Sequence, residues 1–161
     1  MSPDQSAPAC PGSRTRPPNL NAHLRAYTHA DSCRLASMLL ELEAGTGRPV
    51  TRHALADLWT ARFPRHADLV RHPNKTIRHR ISNAAGRMRG VGILRPVDGG
   101  KAFEITDRDG LLMAARNLAV AQDAQGAAVL PRRWTRLPEV PPHLAALLAT
   151  RVQNAQQARP A

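Results

Sequence analysis

The sequence predicts a mainly α-helical protein with one small β-hairpin. Three observations carry this. Apolar residues recur at three- and four-residue spacing in successive segments between residues 29 and 89. Two short strand-like runs then flank Asp98-Gly99-Gly100-Lys101. Two further segments of helical periodicity follow, over about 107–122 and 142–156.

Thr28-His29-Ala30-Asp31 has the spacing of a capping box, a hydroxyl with a carboxylate three residues on. A helix follows through about Glu43, with Leu35, Met38, Leu39 and Leu42 as its stripe, and Gly45, Gly47 and Pro49 stop it. Thr51 is the N-cap of a second helix, about 52–62, that turns Leu55, Leu58 and Trp59 inward, with Val50 placed to staple it. Pro64 ends that helix, and Leu69 and Val70 suggest a helical turn in the connection over 65–73. Pro73-Asn74 opens a third helix, about 75–89, with Ile77, Ile81, Ala84, Ala85 and Met88 at helical spacing, and Gly90 and Gly92 end it. The hairpin runs from Val91 to Val97 and from Ala102 to Thr106; Phe103 and Ile105 alternate with Glu104 and Thr106, as in a half-buried strand. Helix 107–122 carries Leu111, Leu112, Ala115, Leu118 and Ala119, and helix 142–156 carries Leu144, Leu147, Leu148 and Val152.

The organisation is a disordered Pro-rich arm over 1–22, a folded domain over 28–122, a C-terminal extension over 127–157 and a tail over 158–161. The formal net charge is +11, and Lys75 and Lys101 are the only lysines among 23 basic residues. Arginine suits phosphate and guanine, because its planar fork binds two acceptors at once. Few aromatics (Tyr27, Trp59, Phe63, Phe103, Trp134) argue against a platform for stacked single-stranded bases. Two cysteines, Cys10 and Cys33, exclude a disulfide framework and fit a reducing cytosol. No apolar run reaches membrane-spanning length, and the N-terminus has no signal-peptide core. His66, His72 and His79 lack metal-ligand spacing, no Gly-x-Ser-x-Gly elbow occurs, and Glu41 and Glu43 diverge on their helix. No cofactor, metal or enzymatic activity is expected.

Residues 62–95 concentrate the charge. Arg62, Arg65, Arg71, Lys75, Arg78, Arg80, Arg87, Arg89 and Arg95 meet one acid, Asp68. A helix with one apolar and one cationic face can dock on a nucleic acid while anchored in its own core. The order helix, helix, helix, hairpin, helix over about 28–122 resembles the winged helix-turn-helix superfamily. Ala54-Leu55-Ala56-Asp57-Leu58-Trp59 is similar to the first helix of the helix-turn-helix. Asn74-Lys75-Thr76-Ile77-Arg78-His79-Arg80-Ile81 is similar to the start of a recognition helix, and Gly90-Val91-Gly92-Ile93-Leu94 to the entry of a wing. Ile105-Thr106-Asp107-Arg108-Asp109-Gly110-Leu111-Leu112 resembles the strand-to-helix exit of repressors of the multiple-antibiotic-resistance-regulator type. The connection from Phe63 to Pro73 is longer than the turn of about three or four residues in the simplest members.

The resemblance implies sequence-specific binding of double-stranded DNA by a transcriptional regulator, a repressor, with helix 75–89 in the major groove. At about 100° per residue His79 points away from the core, flanked by Lys75, Ser82 and Asn83, with Thr76 and Arg78 at the shoulders. Lys75, Arg78, His79 and Asn83 are then the candidates for base edges, where a bidentate pair discriminates by ~1–3 kcal/mol. Arg80, Arg87 and Arg89, with Thr76 and Ser82, are candidates for phosphates, and Arg95 and Lys101 in the wing for backbone or minor groove. Operator symmetry implies a homodimer, with the C-terminal helix as candidate interface, in a cytoplasmic, nucleoid-associated bacterial protein. Two alternatives are a winged-helix protein–protein module and a DNA replication or packaging accessory of a phage or plasmid. Salt dependence and sequence preference separate them.

Overall fold

The computed structural model describes residues 19–47, 49–66, 76–125 and 138–157. The chain is mainly helical and carries a small three-stranded antiparallel sheet. The elements are α1 (Leu20–Thr28), α2 (Ala30–Thr46), β1 (Val50–Thr51), α3 (Arg52–Arg62), α4 (Ile77–Gly90), β2 (Leu94–Val97), β3 (Ala102–Ile105), α5 (Arg108–Gln125) and α6 (Pro142–Gln157). A single 3-10 turn, Pro64–His66, follows α3.

Helix α1 departs from the expected arm. Residues 20–22 are helical, not part of a disordered tail, and Leu20, Ala26 and Tyr27 are buried. The Pro- and Ser-rich composition ahead of them masks a nine-residue helix whose apolar positions, Leu20, Leu24 and Tyr27, are four and three apart. Residues 1–18 lie outside the described residues. The cap of α2 also differs. Thr28 closes α1, its hydroxyl donating to the Leu24 carbonyl at 3.0 Å. His29 caps α2 instead, its Nδ1 accepting the Asp31 N–H at 3.2 Å. A second helix running up to Thr28 takes that hydroxyl away from the capping box.

Gly47 ends α2 in the left-handed conformation, φ 59°, and its N–H donates to the Glu43 carbonyl. Thr51 caps α3 as expected, accepting the Ala54 N–H at 3.2 Å. Val50 is buried but does not act as a staple alone, because it pairs with Phe103 in a third strand. The strand order is β1-β3-β2, and the hairpin register sets Leu94 opposite Ile105 and Val97 opposite Ala102. Asp98, Gly99 and Gly100 all take positive φ in the hairpin turn, which is why two glycines stand there. Gly110 begins α5 under a different constraint: a Cβ would come within 2.4 Å of the Asp107 carboxylate, which accepts the Gly110 N–H.

The core gathers Leu35, Leu39, Leu55, Trp59, Ile81, Met88, Ile93, Phe103 and Leu111, so α2, α3, α4, α5 and the sheet share it. Asn117 joins the C-terminal segment to this unit from a fully buried position on α5. Its amide donates to the carbonyls of Tyr27 and Glu139, both at 2.8 Å, and its carbonyl accepts the Glu139 N–H at 2.7 Å. Along α6, Leu144 is buried and Leu148 packs on the core of its own chain, while Leu147 is 52% exposed. No helix among the described residues is long and apolar enough to cross a membrane.

Asn117→Ala leaves the Glu139 N–H without its acceptor and opens a hole between α1 and α5. The expected cost is about 2–3 kcal/mol in urea unfolding; a cost under about 0.5 kcal/mol would remove Asn117 as the tie between α5 and the C-terminal segment.

Candidate nucleic-acid interface

Helix α4 is divided by its own periodicity. Ile81, Ala84, Ala85 and Met88 are buried, as their spacing predicts, and Ile77 packs at their margin. Thr76 caps the helix, its hydroxyl accepting the His79 N–H at 3.3 Å. Arg78, His79, Ser82, Asn83, Gly86 and Arg89 are exposed, and no acid interrupts them. A Cβ at Gly86 would have nothing within 4 Å. A glycine inside a helix costs roughly 0.5–1 kcal/mol relative to alanine, so packing within the chain does not explain it.

One flank of α4 looks toward the hairpin turn. Arg78 and Ile81 line a cleft of about 720 Å³ together with Arg52, His53, Gly99 and Lys101. Arg52 ties the turn to the start of α3: its N–H donates to the Lys101 carbonyl at 2.9 Å and its Nε to the Gly100 carbonyl at 2.5 Å. Its guanidinium also lies over the Phe103 ring, 4.8 Å from the centroid. The turn that carries the exposed Lys101 is thereby tied to α3. Arg95 projects from β2 into solvent and pairs with Glu104, its cross-strand neighbour.

The other flank is latched to α2. Asp31, 8% exposed, accepts from Arg34 at 2.8 Å and from Arg80 at 3.1 and 3.2 Å. Arg34 in turn lies over Phe63, which follows α3, at 5.1 Å. Two turns along α4, Arg87 is half-buried; its Nε donates to Ser32 Oγ at 2.9 Å, and an Nη lies 3.2 Å from His29 Nδ1. The His29 Nδ1 accepts from Asp31 N–H and Arg87, so the proton sits on Nε2. Burial, then the neighbouring Arg87, lowers the His29 pKa, with partial opposition from Asp31. Burial pushes the Cys33 thiol up to about 12, and its S–H donates to the Tyr27 carbonyl.

Of the site residues expected from sequence, α4 brings Thr76, Arg78, His79, Ser82, Asn83 and Arg89 to one outward surface, with Lys101 beside Arg78. Lys75 lies outside the described residues, as do Leu69, Val70 and Trp134. The expectation for Arg80 changes: its position faces α2, and its guanidinium is committed to Asp31 rather than presented outward. Arg87 sits on the same inner flank but keeps no carboxylate partner among the described residues. His29, Asp31 and Arg52 also build the site, and sequence reasoning misses them. They act through contacts 48 to 58 residues apart in sequence, which no local spacing reveals. Among the described residues no group of three His, Cys, Asp or Glu side chains could hold a metal ion.

No family model, curated protein or solved structure matches this chain.

Two outcomes test this arrangement. Asp31→Asn removes the carboxylate that Arg34 and Arg80 share, and is expected to cost about 3 kcal/mol of stability in urea unfolding. A cost below about 1 kcal/mol would show that α4 does not depend on this carboxylate. The second outcome concerns pH. Because His29 holds a proton less tightly folded than unfolded, its contribution is complete above about pH 6.5, its ordinary value, and is lost as pH falls below that. Thermal melts of the parent between pH 7 and 5 should show this loss, and His29→Asn, which keeps a cap acceptor, should flatten it. An equal slope in both proteins would assign the effect elsewhere.

Proposed function

We propose that α2–β1–α3–α4–β2–β3 is a winged-helix unit that binds double-stranded DNA and acts as a transcriptional regulator, a repressor. The observation that carries the reading is α4, whose inner face is buried while Arg78, His79, Ser82, Asn83 and Arg89 stand exposed without an acid among them. A solvated helix face ordinarily interleaves acids with bases, and this one does not. The topology supports the reading as well: a three-stranded sheet ordered β1-β3-β2 sets the hairpin turn next to the face that would enter the groove.

In this reading Arg78, His79 and Asn83 meet base edges. Arginine and lysine fit the acceptors of guanine, and asparagine fits adenine. Thr76, Ser82 and Arg89 meet phosphates, and Lys101 follows the backbone or the minor groove. Gly86 leaves the helix backbone open to close approach from outside. Arg95 contributes less, because Glu104 already screens it, and Arg80 is left out. The reading assigns no catalytic role to any residue. A homodimer would rest on the exposed Leu147, since its neighbours Leu144 and Leu148 are taken up by their own chain.

Selection on random duplexes followed by fluorescence anisotropy tests this. The parent is expected to prefer a defined sequence at physiological salt. Arg78→Ala and Asn83→Ala should each cost about 1–3 kcal/mol of that preference. Arg89→Ala should weaken all sequences alike and lower the salt slope by about 0.9. Equal affinity of the parent for every duplex would overturn the regulator, and undiminished binding by Arg78→Ala/Arg89→Ala would overturn the placement of α4.

A further inference from the structure

The cleft between α4 and the hairpin turn carries charge that the chain itself does not balance. Ile81 on α4, Ala56 on α3 and Ala102 on β3 supply an apolar lining. Arg52, Arg78 and Lys101 line it too, against one carboxylate, Asp98, so three cations meet one acid, an excess of two positive charges. None of the three cations has an ion pair among the described residues. The smaller cleft along β1 and β3, about 480 Å³, differs in this respect: its Glu43 pairs with Arg108 and its Glu104 with Arg95. Arg52 is also held in place before any ligand arrives. Its Nε donates to the Gly100 carbonyl and its guanidinium lies over the Phe103 ring, so little side-chain entropy is lost on binding. The two Nη groups of Arg52 make no hydrogen bond among the described residues. The cleft volume, about 720 Å³, falls within the roughly 300–1,000 Å³ of small-molecule sites.

We propose that this cleft binds a small phosphate monoester with a flat apolar body, and that the bound ligand excludes the duplex. A phosphate monoester carries close to two negative charges at neutral pH, which matches the excess on the lining. The arginine fork takes phosphate oxygens two at a time, and Lys101 meets them as a point charge. The apolar body covers Ile81, Ala56 and Ala102, and its removal from water favours binding. A monocarboxylate leaves one positive charge of the excess unmatched, and inorganic phosphate leaves the apolar lining in water. Binding of the ligand does not depend on the DNA reading. The exclusion rests on it, because Arg78 and Lys101 line the cleft and are the residues assigned to the duplex. Arg52 has no duplex contact in that assignment, so it belongs to the ligand alone. A cell metabolite of this class would thereby release the duplex by occupying the space between the helix and the turn that grip it.

The test uses the full chain and phenyl phosphate, with inorganic phosphate and phenol as probes that carry only the charge or only the ring. In the first arm, each is titrated at about pH 7.5, where a phosphate monoester is close to a dianion, while NMR follows the backbone amides. Phenyl phosphate is expected to give saturable shifts at Ala56, Gly99, Gly100 and Lys101, and to bind roughly tenfold more tightly than either partial probe. Lys101→Gln should weaken it several-fold; this side chain is exposed and has no ion pair among the described residues, so the variant is expected to fold. Ala56→Leu fills the cleft and keeps every charge, and should weaken phenyl phosphate more than inorganic phosphate. Equal affinity for phenyl and inorganic phosphate, shifts away from the cleft, or undiminished binding by Lys101→Gln overturns the site. In the second arm, phenyl phosphate is added to the selected duplex complex and should raise the apparent Kd in step with its own occupancy. Unchanged duplex affinity at saturating phenyl phosphate overturns the exclusion and leaves both the ligand site and the DNA reading standing. If the parent binds no duplex at all, the DNA reading fails, and the first arm alone decides whether the cleft holds the ligand.

Discussion

The carboxylate of Asp31 holds α4 against α2. It lies at the start of α2, almost out of solvent, and takes hydrogen bonds from Arg34 on its own helix and Arg80 on α4. Arg34 extends the connection to Phe63 beyond α3. Helices α2 and α4 thus meet at one negative charge, and the residue that follows α3 packs on Arg34 beside it. Apolar packing of Ile81, Ala84, Ala85 and Met88 would hold α4 against the core, but it is non-directional. The charge-assisted bonds to Asp31 have direction and length, and they fix how α4 is rotated about its axis. That rotation decides which arginines look outward.

The excess of arginine therefore divides into groups with different roles. Arg34 and Arg80 serve the interior, and Arg52 serves the hairpin turn. Arg62, Arg95 and Arg108 pair at the surface with Glu41, Glu104 and Glu43, where an ion pair contributes ~0–1 kcal/mol. What remains on α4 is Arg78 and Arg89, with Arg87 at the inner edge. Net charge makes a polyanion an attractive partner; among the described residues Arg78 and Arg89 stand exposed on α4 with no acid on that helix. The proposed duplex reading depends on this second fact more than on the first.

Much of this is legible in the sequence. The inner stripe of α4, the Thr51 cap, the Asp98–Gly100 turn and the exposure of His79 and Asn83 all follow from local periodicity and turn chemistry. Three features are not legible, for a common reason. Helix α1 is short and follows a Pro-rich stretch, and its burial comes from α4, α5 and α6, not from its own pattern. Strand β1 spans two residues and exists only because Phe103 and Ala102 pair with it. The role of Arg80 follows from Asp31, which lies 49 residues away in sequence. Spacing within a helix says which way a side chain points, and only the neighbouring helix says whether a partner is waiting there.

The surface that meets a duplex can be mapped residue by residue. The labelled full chain would be titrated with its selected duplex, and backbone amide shifts followed by NMR. If α4 is the groove-reading helix, the largest changes fall at Arg78, His79, Ser82 and Asn83 and at Lys101 in the hairpin turn, with α6 little affected. Changes confined to α5 and α6, or none at saturating duplex, would refute that role for α4.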